Sequence, residues 1–594
     1  MSLYAELQQR KVIKVGAAYL VAGWLAVQAA SIGFPAFEAP GWALRVFIFV
    51  VLLGFPVALV LAWMLVVTPQ GVQVEKAPFG NKRILAIAAA LAALAVGWYL
   101  RGMPATREPG EDLRSIAVLP FVNMSGEADN EYFSDGISEE ILNVLARTPD
   151  LRVAARTSSF AYKGQAREIP DIARELEVRM VLEGSVRRQG ERVRITAQLI
   201  DASNGFHLWS QTYDRELKDI FAIQDEIAQA IAKELDLKMG GAPGTGTAPQ
   251  LATTPATDLV AYDLYLKGLT LWQARGAANL YEAERLFRAA LARDPGFAKA
   301  WAGLALTHAV LPEWSKEKGE TSYPIARDAA EHALALDPAL PESYAVLGSI
   351  AAGENRILTG RAMFQRAIAI APSYATALQW WGESLMYTGD LDEALEVTAR
   401  AMALDPKSAV VRGAHVNALW QSGRDDEAVT ICTAVLATSP EYMPCKLYDY
   451  SAAIVRRDYP LARRLLHALA QPRGAEAVQF ADAMSTVLEA GPGGSAETDA
   501  VAARLAELPD GYFDDRVLTP LGDSDMVVWF IAVGRNDLAV QRIERMAETL
   551  PQLARWSMVD FHADPLRCDP GFRALAQRLG FEDKRAATQC DKGE

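Results

Sequence analysis

The chain has 594 residues, too many for one hydrophobic core, and its length predicts three or four structural units. It carries 59 Lys and Arg against 73 Asp and Glu, a formal net charge of −14 at pH 7. Because nucleic-acid binding needs clustered positive charge, this acidic balance argues against a nucleic-acid partner.

The first part of the chain is strongly apolar. Residues 12–34, 43–67 and 84–100 form apolar runs long enough, or nearly so, to cross a bilayer core of about 30 Å. They predict a transmembrane region over residues 1–101 that consists of three helices and contacts the lipid bilayer, followed by a juxtamembrane linker at 102–114. A buried, alanine-rich helix is the alternative for the third run.

The charges that flank these runs predict an orientation. The basic residues that flank the first run, or lie between the second and the third, are Arg10, Lys11, Lys14, Lys76, Lys82 and Arg83. The loop between the first two runs has none. Since basic flanks stay in the cytoplasm, we expect a bacterial inner-membrane protein with a cytoplasmic amino terminus and periplasmic residues after 101.

Residues 115–237 have the pattern of a small α/β domain. The run S-I-A-V-L-P-F-V begins it as a buried strand, and Asn204-Gly205 is a typical hairpin turn. Strands are predicted at 115–122, 151–155, 180–187, 192–201 and 206–213, and helices at 131–147, 171–176 and 220–235.

An acidic group lies near the start of the first helix of this domain: Ser134, Asp135, Ser138, Glu139 and Glu140. Serine beside a carboxylate could act as a nucleophile, but no histidine is near in sequence. Capping of the helix by Ser134 or Asp135 is the simpler interpretation. The sequence also lacks paired histidines, a phosphate-binding loop and a nucleophile elbow. We therefore predict no catalytic, cofactor or metal site and no enzyme activity.

Four blocks of this segment carry a family resemblance: A-V-L-P-F-V-N-M-S-G, Y-F-S-D-G-I-S-E-E-I, V-L-E-G-S-V-R-R and R-V-R-I-T-A-Q-L-I-D. They resemble the TolB amino-terminal-like, or FlgO-like, domain of bacterial envelope proteins. In that family the domain typically lies between a transmembrane segment and tetratricopeptide repeats. Some relatives carry a cyclase or a winged-helix DNA-binding domain before the membrane. Because only residues 1–11 precede the first apolar run here, we expect neither.

Residues 238–257, rich in Gly, Pro, Thr and Ala, are predicted to form a flexible linker. Beyond it, four prolines lie 34 residues apart, at Pro338, Pro372, Pro406 and Pro440. Small residues keep the same step, as at Ala333, Ala367 and Ala401 or Gly348 and Gly382.

This period resembles the tetratricopeptide repeat, a helical hairpin that stacks into a solenoid. The resemblance implies an all-α solenoid over 258–474, with degenerate helical repeats and a capping helix at 475–594. The predicted fold class is therefore multidomain: a transmembrane α-helical anchor, a small α/β domain and an all-α solenoid.

The family register indicates which side chains face the concave groove of the solenoid. In the best-defined repeats they are Gln379, Glu383, Met386, Tyr387, Asn417, Trp420 and Gln421. A protein or an extended peptide is the expected partner, bound by stacking and amide contacts. Burial of Met386 and Trp420 between repeats is the alternative.

Four cysteines complete the sequence evidence. In the repeat register, Cys432 and Cys445 differ in height by about 9 Å at helical rise, which exceeds the reach of a disulfide. We therefore expect Cys432 to be a core residue. Cys568 and Cys590 are the pair that could clamp the carboxy-terminal tail.

Two functions agree with these features. The first is an inner-membrane-anchored scaffold or adaptor that binds envelope proteins through the periplasmic groove and the α/β domain. The second is a ligand-sensing signalling component that acts through a membrane partner.

Overall fold

The computed structural model describes short stretches between residues 15 and 74, and then residues 114–126, 130–238, 258–315, 317–491, 495–507, 523–549 and 551–580. The chain divides into two compact units, Met1–Glu111 and Asp112–Glu594. The predicted linker residues 239–257 lie outside the described residues.

The first unit corrects the predicted membrane anchor. Within the described part of the chain, no helix combines the length and the apolar character that a bilayer crossing requires. The transmembrane part of the predicted fold class and the inner-membrane location are therefore wrong. Much of 12–34 and 43–67, and all of 84–100, lies outside the described residues.

The end of the second apolar run shows one reason for the error. Strand β1 (Leu65–Thr68) pairs with β2 (Gly71–Val74) as an antiparallel hairpin. Valine and threonine favour β-strands, so an apolar stretch that contains them can form a strand as well as part of a buried helix. A count of apolar residues alone cannot distinguish such a strand from the end of a helix.

The second unit begins with a mixed sheet. Its strands are β3 (Ser115–Val118), β4 (Val122–Asn123), β5 (Arg152–Val153), β6 (Met180–Gln189), β7 (Arg192–Asp201) and β8 (Phe206–Glu216). The order is β5-β3-β6-β7-β8, with β4 beside the end of β6. β3 is parallel to β5 and β6, whereas β6, β7 and β8 form an antiparallel meander.

Four helices complete the α/β domain: α1 (Glu131–Ala146), α2 (Arg156–Phe160), α3 (Ile169–Glu175) and α4 (Ile220–Lys238). Apolar side chains of α1 and α4, among them Ile137, Ile141 and Ile227, are fully buried against the sheet. The same core continues into the first repeats through Leu266 and Phe287. The α/β domain and the repeats therefore belong to one compact unit.

Six helical hairpins follow in sequence. Their helices are α5 (Leu259–Ala274), α6 (Ala277–Arg293), α7 (Ala298–Trp314), α8 (Gly319–Leu336), α9 (Pro341–Gly353), α10 (Ile357–Ile370), α11 (Ala375–Met386), α12 (Leu391–Leu404), α13 (Ala409–Gln421), α14 (Asp425–Thr438), α15 (Met443–Val455) and α16 (Tyr459–Ala470). The expected role of small residues is visible at Gly303, where a Cβ atom would lie 2.6 Å from the Phe287 ring. The helical solenoid is confirmed.

The array ends in a further helical block. It contains α17 (Ala475–Ala490), α18 (Ala496–Ala506), α19 (Asp523–Ala532), α20 (Asn536–Thr549), α21 (Pro551–Val559), a 3₁₀ helix (Phe561–Leu566) and α22 (Pro570–Arg578). Trp529, Phe530 and Phe572 fill its core. Buried Arg567 donates to the carbonyl oxygens of Met558 and Asp560.

The cysteine prediction needs a correction. Cys432 in α14 and Cys445 in α15 form a disulfide, with their Cα atoms 5.1 Å apart. The prediction of a difference of about 9 Å in height ignored the length of the connection between the two helices. Extended residues such as Tyr442 advance by about 3.3 Å each, which brings the start of α15 down to Cys432. Cys568 is also disulfide-bonded, and its expected partner Cys590 lies outside the described residues.

Candidate ligand cavity between the α/β domain and the repeats

Charged contacts hold one end of the α/β domain against the first repeat. Tyr132 on α1 donates to a carboxylate oxygen of Asp263 on α5 at 2.5 Å. Arg188, at the end of β6, binds the same carboxylate at 2.8 Å. Burial opposes the charge of Asp263, but these hydrogen bonds outweigh it and lower the pKa of its carboxyl. Asp263 is therefore ionised and anchors both elements.

The acidic pair of α1 faces the repeats. Glu139 accepts from Gln273 at 2.9 Å and pairs with Arg156 at 2.7 Å. Glu140 accepts from Tyr265 at 3.0 Å and forms an ion pair with Lys299. Both glutamates are buried. They connect α1 to the first helices of two successive hairpins.

The other end of the domain is held by later repeats. Ser373 donates to the carbonyl oxygen of Leu151 at 2.9 Å and accepts from the amide of Val153 at 3.1 Å. Ser158 on α2 donates to Asp405 at 2.5 Å. Additional contacts are the hydrogen bond from the Ala155 amide to the Leu404 carbonyl, 2.8 Å, and the Lys407–Glu175 ion pair, 2.7 Å.

Between these two sets of contacts lies a cavity of about 320 Å³. Helices α1 and α4 line it on one side, and the first helices of successive hairpins line it on the other. The apolar part of its wall includes Leu269, Leu306 and Leu340. Its charged residues are Glu139, Glu140, Arg147, Arg156, Asp225, Arg275, Lys299, Asp337, Glu342 and Asp405.

Burial decides the electrostatics of this cavity. It raises the pKa of Glu139, against the opposing effect of Arg156, and it raises the pKa of Glu342 and Asp225. It also lowers the pKa of Arg275 to about 10. One carboxylate oxygen of Glu342 is shielded from solvent and has no hydrogen-bond partner among the described residues.

The first four predicted groove residues lie on α11 or just after it. Gln379, which is 7% exposed, also lines the cavity and donates to Glu383 at 3.1 Å. Burial, followed by the charge of Glu313, raises the pKa of the half-buried Glu383 to about 8. Met386 is fully buried, and the ring of Tyr387 lies 5.6 Å from that of Trp556 on α21.

The remaining three are on α13, where the carboxy-terminal block contacts the groove. Trp420 is 3% exposed, donates to Asp560 at 3.1 Å and stacks on His562 with ring centroids 4.2 Å apart. Asn417 accepts from the Tyr448 hydroxyl. Gln421 is fully buried. The chain's own residues therefore cover this part of the groove.

The capping interpretation of α1 is wrong. The helix begins at Glu131, after Asn130, so Ser134 and Asp135 lie inside it. Asp135 instead accepts from Lys163 at 2.6 Å. The sequence did contain a signal for the contact with the repeats, since two adjacent glutamates stand among the apolar residues of an amphipathic helix.

Comparisons with known protein families agree with two parts of this architecture. The second domain of HilA/YgeH-like transcriptional regulators matches residues 111–230, and a tetratricopeptide repeat family matches residues 385–444. The first description does not name the TolB amino-terminal-like domain that the sequence blocks resemble.

Curated relatives match over shorter stretches. A protein named putative adenylate cyclase 3 from Rhizobium meliloti is 45% identical over 192 residues, which is 32% of each chain. The transcriptional regulator HilA of Salmonella typhimurium is 24% identical over 167 residues, 27% of this chain and 30% of HilA. The chain thus spans about a third of the length of the curated relatives it matches.

Similar solved structures are repeat proteins. PilF of Pseudomonas aeruginosa has 18% identity and a TM-score of 0.30, over 38% of this chain and 97% of PilF. The type IV pilus biogenesis factor PilW has 16% identity and a TM-score of 0.30, over 36% of this chain and 94% of PilW. The chain contains tetratricopeptide repeats, a fold that typically binds proteins or peptides and is typically not catalytic.

Proposed function

We propose that the chain is a non-enzymatic protein-interaction scaffold whose repeats hold an α/β domain of the TolB amino-terminal-like type. The row of contacts from successive repeats to this domain carries the proposal. Ser373 and Lys407, which bind β5 and α3 respectively, are 34 residues apart, one repeat period. An array of repeats binds an extended partner with side chains spaced in the same way.

We place the site for a second protein or peptide in the uncovered part of the groove. Among the seven residues of the predicted site, Glu383 and Tyr387 are half-buried and lie outside the part covered at α13, so they can contact a partner. Gln379, Met386, Trp420 and Gln421 are buried, and the half-buried Asn417 lies in the covered part.

A capture experiment with the full-length chain tests the groove. The double variant Glu383→Ala/Tyr387→Ala should lose a partner that the wild type captures, and circular dichroism should show that it is folded. Leu358→Ala is the matched control, because this side chain is 83% exposed on α10. Equal capture by the double variant would remove the groove from the binding site.

A second candidate function is ligand sensing, favoured by the enclosed cavity. A ligand there would contact α1 on one side and the repeats on the other, so its binding would change how tightly the domain is held. Segments similar to parts of this chain occur in a putative adenylate cyclase and in transcriptional regulators. We propose that in this chain a partner protein detects the change in how tightly the α/β domain is held.

Native mass spectrometry of the full-length chain, purified from bacterial cells without denaturation, tests this second function. A bound small molecule should appear as added mass that the Glu342→Gln variant has lost. An unoccupied wild-type chain that no small molecule stabilises against heat would contradict it.

A further inference from the structure

The charged residues of the cavity divide into two groups. Glu139 with Arg156, and Glu140 with Lys299, form ion pairs within the protein. The first pair lies within the α/β domain, the second joins the domain to the repeats, and in both the charges are matched. The residues that matter for binding are those whose charge is not matched in this way.

Glu342 is the first of these. It lies in the first turn of α9 and lines the cavity. One of its carboxylate oxygens is buried, and no donor among the described residues reaches it. A buried acceptor without a partner is costly, commonly by about 1–3 kcal/mol. A ligand that brings a donor, above all an ammonium group, would remove this cost.

Arg275 is the second. Its guanidinium lies over the Trp272 ring, 3.8 Å from the centroid, and donates to the Trp272 carbonyl oxygen at 3.3 Å. It forms no ion pair with a carboxylate of the described residues. Its neighbour Trp272 has a buried indole N–H that also has no partner within that part of the chain. The charge of Glu313 acts on Arg275, but the two side chains form no ion pair, so two donors at this end of the cavity can still bind a ligand.

The backbone of Arg275 supports a binding role. Its φ of 56° and ψ of −177° lie in a region that is essentially restricted to glycine. Residues held in such conformations cluster at ligand sites, because the surrounding structure has to impose them. Arg275 is also the carboxy-terminal cap of α5, so the conformation that ends the helix sets the direction in which this side chain leaves the backbone.

Tyr374 connects the two ends. Burial raises the pKa of its hydroxyl, and the charges of both Glu342 and Arg275 act on it. Glu342, Arg275 and Tyr374 all line the same cavity. A cavity of about 320 Å³ is at the small end of the range of ligand pockets, about 300–1,000 Å³, and so suits a small ligand.

We infer that the cavity binds a free amino acid, with the carboxylate on Arg275, the ammonium group on Glu342 and an aliphatic side chain against Leu269, Leu306 and Leu340. A phosphate ligand fits less well, because Arg156 and Lys299 are already paired. This assignment rests on the ligand-sensing function proposed above and names its ligand class.

Thermal-shift and calorimetric titration of the full-length chain with the common amino acids test the inference. At least one, with leucine as the first probe, should raise the melting temperature and bind. Two compounds of similar shape separate the charges: 3-methylbutylamine lacks the carboxylate, and 4-methylpentanoate lacks the ammonium group. Each should bind at least about tenfold more weakly than leucine, since a charge-assisted hydrogen bond is lost.

Three variants locate the site. Glu342→Gln should weaken binding by about tenfold or more. Arg275→Gly should weaken it similarly and still fold, because glycine adopts the positive φ without strain, which offsets the lost contacts with Trp272. Arg463→Gln, in a surface ion pair with Glu489, should leave binding unchanged.

The outcomes distinguish the ligand class from the sensing function. Equal binding of the amine or of the carboxylate, with loss in Glu342→Gln or Arg275→Gly, would overturn the amino acid and leave sensing in place. Binding that both variants retain would overturn the site. If no amino acid and neither analogue binds, the amino-acid assignment fails, whereas the sensing function fails only if native mass spectrometry also finds the wild-type chain unoccupied and no small molecule stabilises it.

Discussion

His562 illustrates how single residues stabilise the part of the groove that the carboxy-terminal block covers. Its Nδ1 lies 2.8 Å from Asp560 and its Nε2 3.2 Å from Asp425, while its ring stacks on Trp420. Burial opposes the positive charge, but the hydrogen bonds to the two carboxylates outweigh it and raise the pKa of His562 to about 10. The residue is therefore a buried cation between two anions at neutral pH.

We expect His562→Ala to lower the free energy of unfolding by about 3–5 kcal/mol at pH 7, the usual cost of leaving a buried charge unpaired. Because the pKa is raised on folding, this contribution is complete below about pH 6.5 and is lost as the pH rises through about 10. Urea unfolding of the wild type and the variant at pH 6 and at pH 10.5 measures the difference in free energy of unfolding where His562 is charged and where it is neutral. The exposed His207→Ala is the control, and an equal loss at both pH values would contradict the assignment.

Glu383 has the opposite effect on stability. Its pKa is raised to about 8, so the unfolded chain ionises at lower pH than the folded one. Wild-type stability should fall between about pH 5 and 8, and Glu383→Gln should remove this decline, a relative gain on the order of 4 kcal/mol at pH 8. Denaturant unfolding of both proteins at the two pH values checks it. Parallel pH profiles would show that Glu383 is ionised in the folded state.

At the scale of elements, the disulfide joins two neighbouring hairpins. Cys432 and Cys445 are both fully buried and are separated by 13 residues. Closing a loop of this size stabilises a fold by about 3 kcal/mol through the unfolded chain. The bond therefore fixes the junction between α14 and α15.

We expect Cys432→Ala/Cys445→Ala to lower the free energy of unfolding by about 3 kcal/mol. Wild-type protein in reductant should approach the variant, whereas the variant should not respond to reductant at this position. Alkylation followed by intact-mass measurement gives the redox state directly. Labelling of Cys432 in unfolded, unreduced protein would show that the bond is absent.

At the scale of the molecule, the docking of the α/β domain depends on a few buried charges. Glu140 is 1% exposed and pairs with Lys299 from α7. Glu140 also accepts a hydrogen bond from Tyr265 on α5. Removal of Lys299 therefore leaves the carboxylate buried with one neutral donor. The contact between domain and repeats should then weaken before either part unfolds.

Hydrogen exchange measures that weakening. In the full-length Lys299→Met variant we expect faster deuterium uptake in α1 and little change in the β6–β7 hairpin, whose partners lie within the domain. Arg463→Met removes a surface ion pair and should change neither. Uptake in α1 equal to that of the wild type would mean that the domain is held mainly by its apolar contacts.

The sequence by itself determined the repeat architecture. The 34-residue step of Pro338, Pro372, Pro406 and Pro440 marks where hairpins end, and glycines such as Gly348 mark where helices touch. Both signals are local, because they concern residues within one or two hairpins. The strand at Arg192–Asp201 was predictable for the same reason, from the alternation of apolar residues.

Only the tertiary structure decided what the concave face holds. The Ser158–Asp405 hydrogen bond joins residues 247 positions apart, and Trp420 meets Asp560 across 140. No period records such contacts, because they depend on how the solenoid curves and on which domain enters it. The same holds for the partners of Glu139 and Glu140: their place among the apolar residues of α1 is a sign of burial, but only the folded repeats supply Gln273, Tyr265 and Lys299.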